Sequence, residues 1–280
     1  MGPLTSLLLL AALITSQANA ATWTQCRYSY GEENIPRGSS NDYIDFLHLD
    51  RCSINNLTEQ DFIGLPNLGM IRISHNDIPY LDPAVFRGVI RVKTLHLEGN
   101  NLQTMPVFGA HSVLPNLTSL HVTGNEITKL DDPRTFSSTK QLEFLIINDN
   151  KIEFIHPDMF AGLTKLKYLY LNRNKLTYVD DKVFALTSLK SLTTISIRDN
   201  LLESVAPGAF RNTQLQELYL QGNRLTHLPE DFFATDGARL TWFCYHQNPW
   251  RCAYLDKIVA RKNEVDLKCV YFGVKPVCSS

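Results

Sequence analysis

Apolar residues along this chain fall into one frame that returns about every two dozen positions. Leu68, Ile71, Ile73 and Ile78 set the frame, with Asn76 between the last two. The same spacing recurs from Val92 to Leu102, Leu117 to Ile127, Leu142 to Ile152, Leu166 to Leu176, Leu192 to Leu202 and Leu215 to Leu225. A first, variant copy from Ile44 to Ile54 carries Cys52 where the others carry asparagine. A last, degenerate copy from Leu240 to Trp250 keeps Asn248. The asparagines stand at 76, 100, 125, 150, 174, 200, 223 and 248. Self-similarity at this period is the mark of a solenoid.

Each position of the frame predicts a structural role. Apolar residues two apart, as in Leu169-x-Leu171, put both side chains on one face of a short strand. Successive copies then predict a parallel sheet along one side of the coil. The chain turns after each strand, and a buried asparagine carries both donor and acceptor groups for the turn's backbone. The return leg adds apolar positions such as Ile78, Ile152 and Leu176, followed by Leu81, Leu130, Ile155 and Val179. Phenylalanines at 62, 86, 136, 160, 184, 210 and 233 predict a spine of stacked rings. One coil lacks a phenylalanine at the spine position, so Met105–His111 is expected to form an irregular loop. The expectation is an α/β solenoid whose repeats run from 44 to 239 in about eight coils.

A coil cannot bury its own apolar face, so both ends need lids. Residues 21–43 are expected to form the N-terminal cap, and 240–280 the last degenerate repeat and a C-terminal cap. Cys26 and Cys52 lie near the start, and Cys244, Cys252, Cys269 and Cys278 near the end, with none between. This segregation reads as two disulfide-bonded caps in an oxidising compartment. Cys26 is expected to bond Cys52. The four C-terminal cysteines allow three pairings, of which Cys244–Cys269 with Cys252–Cys278 is favoured. A short helix is expected over Ala253–Arg261, with Leu255, Ile258 and Val259 facing inward.

Residues 1–20 read as a signal peptide. The apolar run Leu7–Ile14 is short of the roughly 20 residues a bilayer span needs, and Ala18-Asn19-Ala20 offers a cleavage site. The expectation is a secreted protein without a membrane anchor, with glycan acceptors at Asn56 and Asn116. Lys and Arg total 27 against 28 Asp and Glu, so no basic stripe points to nucleic acid. There is no GxSxG elbow, phosphate-binding glycine loop or HExxH. The acid pairs Asp131-Asp132 and Asp180-Asp181 read as turn residues. Neither an enzyme nor a cofactor is expected.

The asparagine column, the phenylalanine spine and the cap opening Asn248-Pro249-Trp250-x-Cys252 resemble secreted and ectodomain leucine-rich-repeat proteins. That resemblance implies a horseshoe with a parallel concave sheet. Within the group, the signal peptide, the modest repeat number and the cysteine-containing cap are similar to the insect leucine-rich immune proteins. Long members of that family add a coiled coil, form disulfide-linked pairs and act with complement-like thioester proteins. No heptads follow the cap here, so the chain resembles a coil-less member, expected as a monomer or weak dimer. The implied function is protein or microbial-surface recognition in innate immunity. The alternative is a structural or inhibitory binder of host matrix or secreted proteins.

A ligand is expected on the outward side chains of the strands. The position between the paired apolar residues reads His48, Arg72, His96, His121, Ile146, Tyr170, Ser196, Tyr219. Two places earlier stand Phe46, Met70, Thr94, Ser119, Phe144, Tyr168, Thr194 and Glu217; two places later stand Asp50, Ser74, Glu98, Thr123, Asn148, Asn172, Arg198 and Gln221. All three rows are expected to point into solvent. Phe144, Ile146, Tyr168, Tyr170 and Tyr219 form a candidate contact patch, because exposed apolar clusters often mark partner sites. His48, Arg72, His96 and His121 form a second candidate. They suit plain polar surface or an anionic or pH-sensitive contact; His96, Glu98 and His121 are also a conceivable divalent-metal site, but the expectation is no metal.

Overall fold

In every repeat, the central strand residue and the apolar residue two places on are driven inward, and the backbone between them pairs with the next coil. The computed structural model describes residues 45–62, 65–111, 113–185, 188–234, 239–260 and 278. They fall into two units, residues 45–126 with 134–142, and residues 127–133 with 143 onward.

The first unit holds β1 (Phe46–His48), β2 (Met70–Arg72), β3 (Thr94–His96) and β4 (Ser119–His121). All pair in parallel, with Leu47, Ile71, Leu95 and Leu120 in register. The second unit holds β5 (Lys129–Leu130), β6 (Phe144–Ile146), β7 (Phe154–Ile155), β8 (Tyr168–Tyr170), β9 (Tyr178–Val179), β10 (Thr194–Ser196), β11 (Ser204–Val205), β12 (Glu217–Tyr219) and β13 (Trp242–Cys244). Here β6, β8, β10, β12 and β13 pair in parallel, with Leu145, Leu169, Ile195, Leu218 and Phe243 in register. The two-residue strands β5 with β7, and β9 with β11, form short ladders on the return legs. Other return legs make single 3-10 turns at Glu59–Phe62, Pro83–Phe86 and Phe108–Ala110. One makes a single α-turn, α1 (Asp181–Phe184), whose N-cap Asp180 accepts from Lys182 N–H at 2.8 Å. Asp180 is thus a helix cap. The fold is the parallel-sheet solenoid that the repeat frame predicts.

The asparagine column works as a bridge between coils. Asn174 donates from Nδ2 to Ile147 O (2.9 Å) in the coil before it and to Leu171 O (3.0 Å) in its own. Its Oδ1 accepts from Ile152 N–H at 3.0 Å. Asn76, Asn100, Asn125, Asn200, Asn223 and Asn248 each donate back to the preceding coil in the same way. A second column escapes the sequence pattern. The residue just before each asparagine lies in the left-handed region: His75, Gly99, Gly124, Asp149, Arg173, Asp199, Gly222 and Gln247 all have φ between 52° and 70°. Glycine relieves strain there, and at Gly222 there is a second reason. A Cβ there would collide with the Asp199 side chain.

The phenylalanine spine differs from expectation at two coils. Phe62, Phe86, Phe136, Phe160, Phe184 and Phe210 are buried as predicted. At the last coil, however, Phe232 fills the spine, fully buried and 6.4 Å from Phe210, while Phe233 is half-buried. In the irregular coil, Phe108 is fully buried on a 3-10 turn, with Met105 and Pro106 buried beside it. The loop is irregular, but it still supplies a ring to the core from a shifted position.

At the C-terminal end, helix α2 (Cys252–Ala260) buries Leu255 and Ile258. Val259 is 40% exposed, contrary to expectation, because it follows Ile258 by 100° on the helix and turns away from the repeats. Trp250 is fully buried and donates from Nε1 to Tyr245 O at 2.8 Å. Cys252 bonds Cys278, as favoured. Cys52 and Cys244 are also disulfide-bonded. Cys26, Cys269, the signal segment and the cap over 21–43 lie outside the described residues.

Two outcomes are expected in urea denaturation. Phe232→Ala should cost about 3–5 kcal/mol, as truncation of a filled core ring does, and the half-buried Phe233→Ala should cost clearly less; equal costs would place the wrong ring in the spine. Asn174→Ala should cost about 3 kcal/mol or more, since it strands three buried backbone groups at about 1–3 kcal/mol each.

Candidate functional site

Parallel pairing at about 4.8 Å per strand sets the outward side chains of adjacent coils side by side. In the first unit, His48, Arg72, His96 and His121 follow one another in register on β1, β2, β3 and β4. The structure stacks the last two. Their rings stack at 4.3 Å between centroids, with a 27° interplanar angle. Glu98, just beyond β3, places Oε1 2.7 Å from His96 Nδ1 and 3.7 Å from His121 Nδ1. Ser74 Oγ donates to Glu98 Oε2 at 2.5 Å, and Ser119 Oγ lies 2.8 Å from His121 Nε2. His48 stands against Phe46 at the far end of the row.

These contacts fix the charge of the cluster. Burial works to raise the Glu98 carboxyl, but hydrogen bonds from His96 and Ser74 outweigh it and bring it down to about 2. His121 is pushed below 6.5, first by burial and then by the charges of His96 and Arg72, against the opposing pull of Glu98. Glu98 is therefore an anion at neutral pH, and His121 is a neutral imidazole.

The second unit carries the aromatic row. Phe144 on β6 stacks on Tyr168 of β8 at 4.5 Å and 11°. Ile146 is opposite Tyr170, Tyr170 is opposite Ser196, and Ser196 is opposite Tyr219. Phe144 is 38% exposed, and Ile146, Tyr168, Tyr170 and Tyr219 are half-buried. The rings thus have lateral packing of their own, which the sequence pattern does not reveal. Nor do the outward rows all point into solvent. Thr194, Ser196, Asn172 and Ser74 are buried on this face. Thr194 and Ser196 are small, and larger neighbours on both flanking strands close over them.

Glu217 sits among these rings and is the acidic member that the patch did not include. Its Oε2 accepts from Tyr219 OH at 3.1 Å and from Thr194 Oγ1 at 3.4 Å. Burial, the Glu217 charge and that hydrogen bond push Tyr219 up to about 12. Burial, Glu217 and Tyr168 also push Tyr170 up. Both hydroxyls hold their protons at neutral pH. Trp242 is paired with Glu217 at the next coil and closes the row. Extending the row by one repeat into the degenerate copy would have found it.

A family model described as Leucine rich repeat matches residues 44–102, 115–176, 169–225 and 190–235, more than half of the chain. The chain belongs to the leucine-rich-repeat family. This leucine-rich-repeat protein is 34% identical over 198 residues to lumican of Gallus gallus, covering 70% of this chain and 54% of that one. It is 27% identical over 193 residues to osteomodulin of Rattus norvegicus, covering 68% and 38%. The chain thus spans about half or less of the length of these relatives. A chain in the octameric complex of Latrophilin 3, Unc5D and FLRT2 shares the fold, with a TM-score of 0.66 at 23% identity over 84% of this chain and 68% of that one. Among the described residues, no helix is long and apolar enough to cross a membrane.

The low Glu98 pKa carries a sign that can be checked. A carboxyl at about 2 in the folded protein and 4.5 unfolded stabilises fully above 4.5 and loses that contribution as pH falls through 2. Glu98→Gln is therefore expected to lower the melting temperature at pH 7, with the deficit shrinking from pH 4.5 down to 2. A deficit of constant size across that range would show that the charge of Glu98 is not what holds the cluster.

Proposed function

We propose that this protein is an extracellular, non-enzymatic binder of a host matrix or secreted protein, held on the outward face of its strands. The observation that carries the reading is the aromatic row of one sheet: Phe144, Ile146, Tyr168 and Tyr170 on adjacent coils, with Tyr219 two coils on, each at least partly open to solvent. Rigid rings bring contact area at low entropic cost, and tyrosine adds a directional hydroxyl. The protonated Tyr170 hydroxyl is a donor for a partner, Tyr219 OH donates to Glu217, and Glu217 offers a carboxylate beside them. A partner that suits this surface presents apolar side chains against Phe144 and Tyr168, and an Arg or Lys near Glu217.

Lumican and osteomodulin, matrix proteins of the same family, support the extracellular role. So do the disulfides at Cys252–Cys278, Cys52 and Cys244, since such bonds persist in oxidising compartments. Asn56 and Asn116, both exposed, are the proposed glycan acceptors; Asn116 Nδ2 donates to Ile90 O at 2.9 Å. A second reading is a body-fluid recognition protein of the coil-less insect immune type. The cysteine-containing cap directly after the repeats is the feature behind it, and a rise in abundance after microbial challenge would distinguish it from the first.

The test is affinity capture from extracellular fluid, with the tagged protein beside a Phe144→Ser, Tyr168→Ser, Tyr170→Ser variant of matched melting temperature. Partners retained by the parent and lost by the variant are expected. Equal capture by both would remove the aromatic row as the binding surface.

A further inference from the structure

The histidine cluster of the first unit has the composition and spacing of a metal site. We propose that His96, Glu98 and His121 bind one zinc ion, through the two imidazoles and Glu98 Oε1. The ligand atoms of the three residues all lie within 4.8 Å of one another. Around a tetrahedral zinc with bonds of about 2.0–2.1 Å, donor atoms stand roughly 3.3 Å apart. The two separations from Glu98 Oε1, 2.7 Å to His96 and 3.7 Å to His121, bracket that value. Binding requires the two stacked rings to splay about their side-chain bonds so that both Nδ1 lone pairs converge on the ion.

The surroundings orient the donors. Ser74 holds Glu98 by Oε2, so Oε1 is the oxygen presented to the ion. Ser119 engages His121 at Nε2, which leaves Nδ1 turned toward Glu98. Hydrogen bonds of this kind to the far side of a metal ligand fix its orientation and its ligating atom. Three consecutive coils supply the set: Ser74 from one, His96 and Glu98 from the next, Ser119 and His121 from the third. The side chains of the three ligands are between 16% and 24% exposed, so the ion enters from solvent.

The donor set selects the metal. Two imidazoles and one carboxylate suit zinc and its late first-row neighbours, whereas calcium and magnesium require a shell of oxygens. Three protein ligands leave a fourth position for water or a side chain of a partner. Arg72, next to His96 on β2, is the charge that opposes the ion. Glu98 is the anion that offsets it. The proposal is independent of the aromatic row, which belongs to the other unit.

The experiment titrates zinc chloride, then cobalt chloride, into the full secreted chain with its disulfides intact and any polyhistidine tag removed. One equivalent of zinc should bind and raise the melting temperature, and cobalt should give the visible absorption of a nitrogen- and oxygen-ligated tetrahedral ion. His96→Gln and His121→Gln should each weaken zinc at least tenfold, and Ser119→Ala by about tenfold, the size of effect removal of such a supporting hydrogen bond has. His48→Gln, in the same row but away from Glu98, should leave affinity unchanged. Absence of zinc binding by the parent protein, or equal binding by the His96 and His121 variants, would overturn the site. If either variant fails to fold, the cobalt spectrum of the parent decides: no tetrahedral absorption ends the proposal.

Discussion

The buried asparagine amide is the interaction on which each coil depends. A chain that turns sharply after a three-residue strand leaves backbone N–H and C=O groups facing the core without ladder partners, and such groups are costly when unpaired. One carboxamide per coil answers this from both ends. Its Nδ2 reaches the carbonyl of the coil before, and its Oδ1 receives an N–H from that coil's return leg. No coil is therefore satisfied alone. The apolar residues give the bulk of the stabilisation, but the asparagines tie it to one register, and register is what sets the outward side chains in rows.

Much of this was legible in the sequence because it repeats. Strand positions, the asparagine column and most of the ring spine follow from one frame seen eight times. The misreadings are local. Phe233 and Phe232 are adjacent and both touch Phe243, and only packing against Phe210 marks Phe232 as the one inside. Phe108 stands off the frame, 8 residues after Asn100 where the other spine rings stand 9 to 11 after theirs, so counting passes over it. The left-handed column was signalled only by Gly99, Gly124 and Gly222; the aspartate, arginine, histidine and glutamine at the other copies hide it.

The candidate surfaces show the same division. The rows were legible because side chains alternate along a strand, and the registers confirm them. What each row does depends on contacts across strands, which no single repeat encodes. Two histidines of three come together because Glu98 and two serines hold them, and Glu217 meets the tyrosines because it shares β12 with Tyr219 and stands two coils on from Tyr170. Small residues in the rows, Ser196 above all, are covered by their neighbours, so a side chain can be outward by alternation and still be hidden from solvent.

The way the asparagines bridge coils has a consequence for how such a chain can change. From the second strand residue to its asparagine the count never varies, because the amide must meet a fixed pair of backbone groups. The return legs alone absorb the differences in repeat length, which run from 23 to 26 residues between successive asparagines. Slack in this molecule is one-sided. Insertions on the return leg can be taken up while every outward row keeps its alignment, so one side of the solenoid is free to drift in length while the other preserves a surface.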